Sequence, residues 1–404
     1  MVKRSADQKL IRITNQNLII DTIRTNESAT RSSLSKTLQL SVPSVCANVD
    51  QLIELGIIRE TGEESSSVGR KAKLLKLNND FGYLVSIDLS NPCVTIAISS
   101  LKPEIVHEHK FDLEQFELER LTDLLLENIE RILTAKQLPL DKMLAISLSV
   151  PGIVDSKKGI ADCGSYLTKL GKVPFRDLIQ RKYDVPVLVQ KDIDAAVIAE
   201  MKYGVAKACK DVVFVSADVG VGLGIVLNGG LFKGSSQASG EMCKFVMDRE
   251  ERLDDSPKKR LVDLVSVGSL VQAVRSDLTS GAQSVVLNEA GGQIEKVDFN
   301  TIIRGTLAND DLCVKHVREC ARIMGIAVTN MLLLLDLECV ILGGGFVTLG
   351  PAYTDTLAAD VRKHISSDLH IVNTMLKNKA VLLGGIAIGL ESIFEEVLKE
   401  RSVE

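Results

Sequence analysis

No CxxC pair occurs among the eight cysteines, which stand apart at positions 46, 93, 163, 209, 243, 313, 320 and 339. That spacing excludes a zinc ribbon and a thiol redox motif, and the expectation is reduced, mostly buried thiols. No apolar run approaches the roughly 20 residues a membrane span requires. The most apolar stretch, 331–340, is interrupted by Asp336 and Glu338. The basic residues of the opening segment, MVKRSADQKL, have no apolar run behind them, so no signal peptide is expected. The reading is a cytoplasmic chain with no membrane partner. Tryptophan is absent, and no sign of charge dominates: 48 Lys and Arg face 53 Asp and Glu, a net of −5. A uniformly basic nucleic-acid coat is thereby excluded.

What is present is unevenly placed. A length of 404 residues suits two or three domains rather than one small core. Residues 1–80 hold 12 Lys and Arg against 9 Asp and Glu, a net of +3, leaving 36 against 44, a net of −8, for the remainder. A basic end on an acidic body suits a small DNA-binding module attached to a larger domain that does not touch DNA.

Within the first 80 residues, apolar positions 10, 11, 13, 18, 19, 20 and 23 recur at helical spacing. A polar break at 26–28 follows. Thr30 is placed to cap a short helix carrying Leu34 and Leu38, and Arg31 opens it. After a turn at 39–40, Ser41 caps a third helix with Pro43 in its first turn, where a missing N–H does no harm. Gly56 ends it. Val45, Val49, Leu52 and Ile53 form its buried stripe, and Ser44, Ala47, Asn48 and Gln51 are expected on the opposite face, short enough to reach base edges. Residues 57–60 and 73–77 read as two strands whose connecting loop ends in Gly69-Arg70-Lys71, a wing for phosphates or the minor groove. Each helix alone would suit an ordinary bundle with a hairpin. The ordered set of caps, short turn and basic wing is the winged helix-turn-helix pattern. The expected DNA-contacting residues are Thr30, Arg31, Ser41, Pro43, Ser44, Asn48, Gly69, Arg70 and Lys71.

From residue 81 onward, strands alternate with helices. Strands are expected at 83–89, 93–99, 143–150, 185–190, 212–216, 224–227 and 339–342, and helices at 117–134, 195–203 and 314–335. This implies an α/β fold that binds ligands where strands run into glycine turns. The domain boundaries read 1–80 and 81–404.

The order and spacing of several motifs resemble the ROK family, in its transcriptional-regulator, xylose-repressor-like branch. They are Asn15 and Asn17 in the opening helix, Thr30-Arg31, Gly69-Arg70-Lys71, Pro151-Gly152, Asp192 with Ala195-Ala196, Gly220, Gly222 and Gly224, Asn228-Gly229, Gly240-Glu241 and Gly343-Gly344-Gly345. The resemblance spans nearly the whole chain. It implies an actin-like, sugar-kinase (ribonuclease H-like) domain of two lobes and a cleft, in a homodimer or tetramer that binds double-stranded operator DNA.

Residues that contact sugar hydroxyls in relatives map onto Lys191, Asp192, Glu241 and Lys244, where relatives have Asn at the first position and His at the last. Two arrangements are open: both lysines are free to draw an anionic ligand, such as a phosphorylated sugar or sugar acid, or they are spent on Asp192 and Glu241 in a closed pocket. Kinases of the family open with Asp, two glycines and Thr, but this chain has Asp88-Leu89-Ser90-Asn91-Pro92. Their second phosphate loop reads Gly-Thr-Gly, but this chain has Asp218-Val219-Gly220, a carboxylate where a phosphate would approach. Asp192 alone matches the family's catalytic base. The zinc cluster of many members is missing: Glu241-Met242-Cys243-Lys244 has Lys in place of a ligating His. The expectation is therefore a repressor of carbohydrate-utilisation genes, not an enzyme, with neither metal nor cofactor. The alternatives are a constitutive DNA-binding protein with a vestigial sensor and, less favoured, a sugar kinase.

Overall fold

The computed structural model describes residues 2–63, 72–113, 117–247, 259–365 and 368–400, and the side chains among them from residue 11 to 398. Three helices open the chain: α1 (Val2–Asn26), α2 (Arg31–Leu38) and α3 (Val42–Glu54). The antiparallel pair β1 (Ile58–Glu63) and β2 (Lys73–Leu77) follows, with Ala29 bridged to Leu75 at its edge. Both expected caps form. Thr30 and Ser33 make a reciprocal capping box on α2, and the Ser41 hydroxyl accepts the Ser44 N–H at 3.4 Å on α3.

The body contains β3 (Tyr83–Asp88), β4 (Cys93–Ser99), β5 (Ile105–Asp112), α4 (Leu118–Ala135), β6 (Met143–Val150), β7 (Gly152–Asp155), β8 (Ile160–Cys163), β9 (Lys172–Val173), α5 (Phe175–Gln180), β10 (Val187–Lys191) and α6 (Asp192–Lys202). It continues through β11 (Val212–Ala217), β12 (Val221–Leu227), β13 (Gly230–Leu231), α7 (Leu261–Leu264), α8 (Val267–Thr279), α9 (Val285–Glu289), α10 (Phe299–Leu307), α11 (Asp311–Leu335), β14 (Cys339–Gly343), α12 (Pro351–Arg362), β15 (His370–Asn373) and α13 (Ala380–Glu400). Two five-stranded sheets result, ordered β5-β4-β3-β6-β10 and β13-β12-β11-β14-β15. In each, an antiparallel meander of two further strands extends one side of the central strand and two parallel strands the other. The two lobes thus repeat one topology. Their central parallel strands are buried on both faces, which is why β3, β6 and β14 read as nearly unbroken apolar runs.

Helices α6 and α13 lie side by side between the sheets, α13 against β3 and β6 and α6 against β11 and β12. This layer explains a departure from expectation. Strand β12 begins at Val221 rather than at 224, so Gly222 belongs to it and not to a loop, and a side chain at 224 would meet the Ile193 carbonyl of α6 at 2.6 Å. The glycine serves close helix-on-strand approach.

The N-terminal head does not stand apart. One apolar cluster joins Ile19, Ile20, Ile23, Val45, Leu52 and Leu75 to Leu84, Leu101, Ile386, Leu390, Ile393 and Phe394 of the body. Lys102 reinforces the junction with an ion pair to Glu27 at 2.9 Å. No helix among the described residues is long and apolar enough to cross a membrane.

Candidate functional site

Two surfaces collect the residues singled out from the sequence. The first is the α2–α3 unit. Here Thr30 is buried as a cap, and Arg31 is held by Asp50 at 2.6 Å and Glu60 at 2.7 Å. Lys73 joins Arg31 on Glu60, and together they hold that carboxyl below its usual range. Val42, Pro43 and Ala47 face outward, with Ser44 half-buried beside them.

Asn48 corrects the expectation for α3. It is only 6 % exposed, and its amide donates to the Ser44 carbonyl at 2.8 Å. Gln51 also turns inward, where its side-chain oxygen accepts from Arg12 and Gln16 of α1, both at 2.7 Å. The reason is angular. At 100° per residue, positions 44, 48 and 51 border the 45/49/52 stripe on the side that α1 covers. The free face is Val42, Pro43 and Ala47, continuing to Asp50 and Glu54, so only its N-terminal half suits approach to DNA phosphates. Gly69, Arg70 and Lys71 of the wing lie outside the described residues.

The second surface is a cleft of about 1470 Å³ at the carboxyl ends of β3, β10, β11 and β14. Lys191 ends β10, Asp192 begins α6, and Glu241 and Lys244 come from the segment after β13. All four line the cleft, together with Asp88, Asp218, Gly220, Gly222, Gly344 and Gly345.

The lysines share a single carboxylate. Lys191, 6 % exposed, donates to Glu241 Oε1 at 2.7 Å and to the Ser239 carbonyl at 3.1 Å, while Lys244 reaches Glu241 Oε2 at 3.2 Å. Burial pushes the Glu241 carboxyl up, but the two cations outweigh it and hold it below its usual range. Of the two arrangements open from sequence, the lysines therefore follow the paired one on Glu241. Neither pairs with Asp192, and the cleft stays open.

The opposite signal comes from three aspartates. Asp88 sits at the end of β3 and accepts the Ser90 N–H at 2.8 Å; Asp192 accepts the Ile193 N–H at 2.8 Å; Asp218 accepts from Val219 and Gly345, both at 2.9 Å. Among the described residues, none has a cationic partner within ion-pair reach. Burial pushes Asp88 up to about 6, with Asp192 and Asp218 adding to the shift, and raises Asp192 and Asp218 as well. Asp194, one turn into α6, is also pushed by burial to about 6. In the sequence, Asp88 matches the opening Asp of a kinase turn whose glycines are gone, and Asp218 departs from the second turn; neither is a candidate site residue there. Their clustering depends on bringing strand ends from both lobes together.

A pH dependence follows. The folded-state values of Asp88 and Asp194, about 6, lie above the ordinary 3.8. Between these limits the folded chain keeps protons that the unfolded chain has released. Stability from these groups is full below 3.8 and falls as pH rises through 6. From pH 5 to pH 7 each should cost about 1 kcal/mol. Glu241 acts in the opposite sense, but only as pH falls below the usual carboxylate range. Urea titrations at pH 5, 6 and 7 should show this slope, and Asp88→Asn should make it shallower. A flat profile for the unaltered chain would contradict the burial of these groups.

The cleft and the head are joined through the middle layer. Ala380 and Val381, at the start of α13, line the cleft, while Ile393 and Phe394 near its other end pack into the head's apolar cluster. Helix α6, which starts at Asp192, packs along α13.

Comparison with known proteins places this arrangement. A model of the ROK family matches residues 84–391. The chain is 27% identical to the xylose repressor of Caldicellulosiruptor bescii, covering 94% of this chain and 96% of that one. It is 24% identical to the xylose repressor of Bacillus subtilis over 97% and 99% of the two chains. It is 23% identical to the DNA-binding transcriptional repressor Mlc of Escherichia coli over 89% and 88%. Among solved structures, a ROK family transcriptional regulator described as a homologue of the E. coli MLC protein superposes with a TM-score of 0.79, at 22% identity, covering 96% of this chain and 98% of that one. A ROK family glucokinase from Streptomyces griseus, solved with glucose and AMPPNP, gives 0.67 at 20% identity, covering 76% of this chain and 99% of that one.

Proposed function

The chain belongs to the ROK family, and from that premise we propose that it is a sugar-responsive DNA-binding transcriptional repressor whose kinase-like cleft serves as a sensor. The observation that carries this reading is the continuous packing from cleft to head. Asp192 and Glu241 face a ligand-sized opening, α6 and α13 leave from its wall, and α13 ends in the core of the helix-turn-helix. A ligand that draws the two lobes together alters the seat of α1, and hence the position of α3 on DNA.

The cleft geometry supports one set of ligand residues. Lys191, Asp192, Glu241 and Lys244 form the ligand wall, with Asp192 and Glu241 accepting hydroxyl protons. Glu241 offsets one of the two lysine charges, and Asp88, Asp192 and Asp218 stand against the other, so these four carboxylates outnumber the two cations and the cleft suits a neutral, hydroxyl-rich sugar better than a phosphorylated one. On the head, Thr30 and Arg31 set the angle of α2 while Ser41, Pro43 and Ser44 present the start of α3; the sequence adds Gly69, Arg70 and Lys71 as further DNA contacts. We assign DNA binding to residues 1–80 and sensing and self-association to 81–404. A homodimer would offer two heads to a pseudo-palindromic site.

The test is enrichment of sheared host DNA by the purified protein with and without sugars. Recovery of a pseudo-palindromic site beside carbohydrate genes, released by one neutral sugar, is the expected result. Enrichment that no sugar alters would point instead to a vestigial sensor, and no enrichment would remove the DNA-binding reading. Calorimetry with matched neutral and phosphorylated sugars decides the ligand class. ATP turnover with sugar acceptors would overturn the non-catalytic reading.

A point substitution isolates the head. Ala47→Glu places a negative charge on the exposed face of α3. It should weaken operator binding by at least a hundredfold at moderate salt, about 3 kcal/mol, through phosphate repulsion and lost base contact. The melting temperature should not move, since Ala47 is exposed. Unchanged affinity would remove α3 from the interface.

A further inference from the structure

We propose that Asp218 is a tethered anion filling a nucleoside-phosphate site in the second lobe. The inference rests on reading the cleft as a sensor and adds what keeps one class of ligand out of it. Strands β11 and β14 are adjacent and parallel, and both run into turns at the cleft: Asp218-Val219-Gly220 after one, Gly344-Gly345 after the other. The crevice beyond the carboxyl ends of such strands is where open α/β sheets bind ligands, and backbone N–H groups of glycine turns there cradle phosphates.

Here the donors are already engaged. Asp218 Oδ1 accepts the Val219 N–H and Oδ2 the Gly345 N–H, each at 2.9 Å, so one carboxylate bridges both turns. The position is fixed from its backbone as well. The Asp218 N–H donates to the Gly220 carbonyl at 2.8 Å, and its carbonyl accepts from Val267 at the start of α8 at 2.9 Å. Gly345 is fitted to this arrangement, because a side chain there would press on Asp218 Oδ2 at 3.1 Å and on Phe299. A carboxylate with two oxygens on two N–H groups stands in for two oxygens of a phosphate. Being attached to the turn itself, it competes at an effective concentration that a free nucleotide at millimolar levels does not match. Asp88 and Asp192 face the same space and add repulsion.

Removing the tethered anion should expose the donors. The probe is magnesium–ADP, titrated calorimetrically into the full chain and into Asp218→Thr and Asp218→Gly, with folding of each checked by its melt. The unaltered chain should give no saturable heat below several millimolar. At least one Asp218 variant should bind ten times more tightly or better. Asp162→Asn removes a charge from the same cleft without freeing these N–H groups, and should gain much less. The proposal is overturned if the unaltered chain already binds as tightly as the variants, if neither folded variant gains binding, or if Asp162→Asn gains as much. Should both Asp218 variants unfold, Asp218→Asn, which keeps the shape and frees one donor, takes their place under the same criteria. Sugar-dependent release of operator by the unaltered chain is read separately. Its failure would remove the sensor reading and leave the ADP comparison standing.

Discussion

Adding one methyl group at Gly384 is expected to lower the stability of the chain by about 2 kcal/mol, the net of the two terms that follow. In an open helix, Gly→Ala gains about 0.5–1 kcal/mol from the backbone entropy of the unfolded chain. At Gly384 the new atom would lie 1.8 Å from the Ala195 carbonyl oxygen and 2.3 Å from its carbon. These are backbone atoms of α6, so no side chain can rotate aside. α13 must lift from α6, and overpacking of this kind costs typically 1–3 kcal/mol and more where backbone must move. The displacement also reaches the head, because Ile386, Leu390, Ile393 and Phe394 of the same helix sit in its core. Urea unfolding of Gly384→Ala should show a markedly lower midpoint, and sugar should release operator less effectively from the folded fraction. Gly229→Ala is the control. Unlike the helical Gly384, that residue has positive φ, +75°, but nothing lies within 4 Å of the added atom, so only about 1 kcal/mol of backbone strain is expected. Equal midpoints for Gly384→Ala and the unaltered chain would mean that α6 and α13 do not pack this closely.

The second large effect belongs to Glu241. Replacing it with Gln leaves Lys191 buried without its ion-pair partner, holding only neutral acceptors, the new amide oxygen and the Ser239 carbonyl. Breaking a buried pair from one side costs about 3–5 kcal/mol, or forces the lysine to release its proton. Lys244, 58% exposed, loses only a surface pair, worth about 0–1 kcal/mol. Glu241→Gln should therefore destabilise strongly, and Lys244→Gln barely. The double variant Glu241→Gln/Lys191→Met should regain most of the stability, since no unpaired charge remains. It should not regain sugar binding, because an acceptor has gone from the cleft wall. Recovery of both would show that Glu241 serves only to balance Lys191. Failure to recover stability would show that the Lys191–Glu241 pair is not the source of the loss.

These expectations draw unequally on sequence and structure. The caps at Thr30 and Ser41, the ends of α3, the parallel-strand cores and the glycine turns follow from local rules in which a residue's neighbours in sequence are its neighbours in space. The same rules misjudged Asn48 and Gln51. Both border the apolar stripe of α3, and only the approach of α1 decides which polar edge is covered. They also gave no account of α13, whose apolar positions begin at Ala380 and continue past Phe394. That run signals a buried helix, but not its partners.

The sequence by itself determined the helix-turn-helix head, the α/β body with strands ending at a ligand site, the family, and the loss of glycine and hydroxyl residues from the kinase-type turns. Each is written in residues a few positions apart, through propensity, capping and spacing. The tertiary structure alone decided the rest. It put both lysines on Glu241, gathered Asp88, Asp192 and Asp218 from strand ends up to 130 residues apart, and seated α13 between cleft and head. Those outcomes depend on long-range pairing and close packing, where charge, distance and burial are fixed by elements remote in the chain.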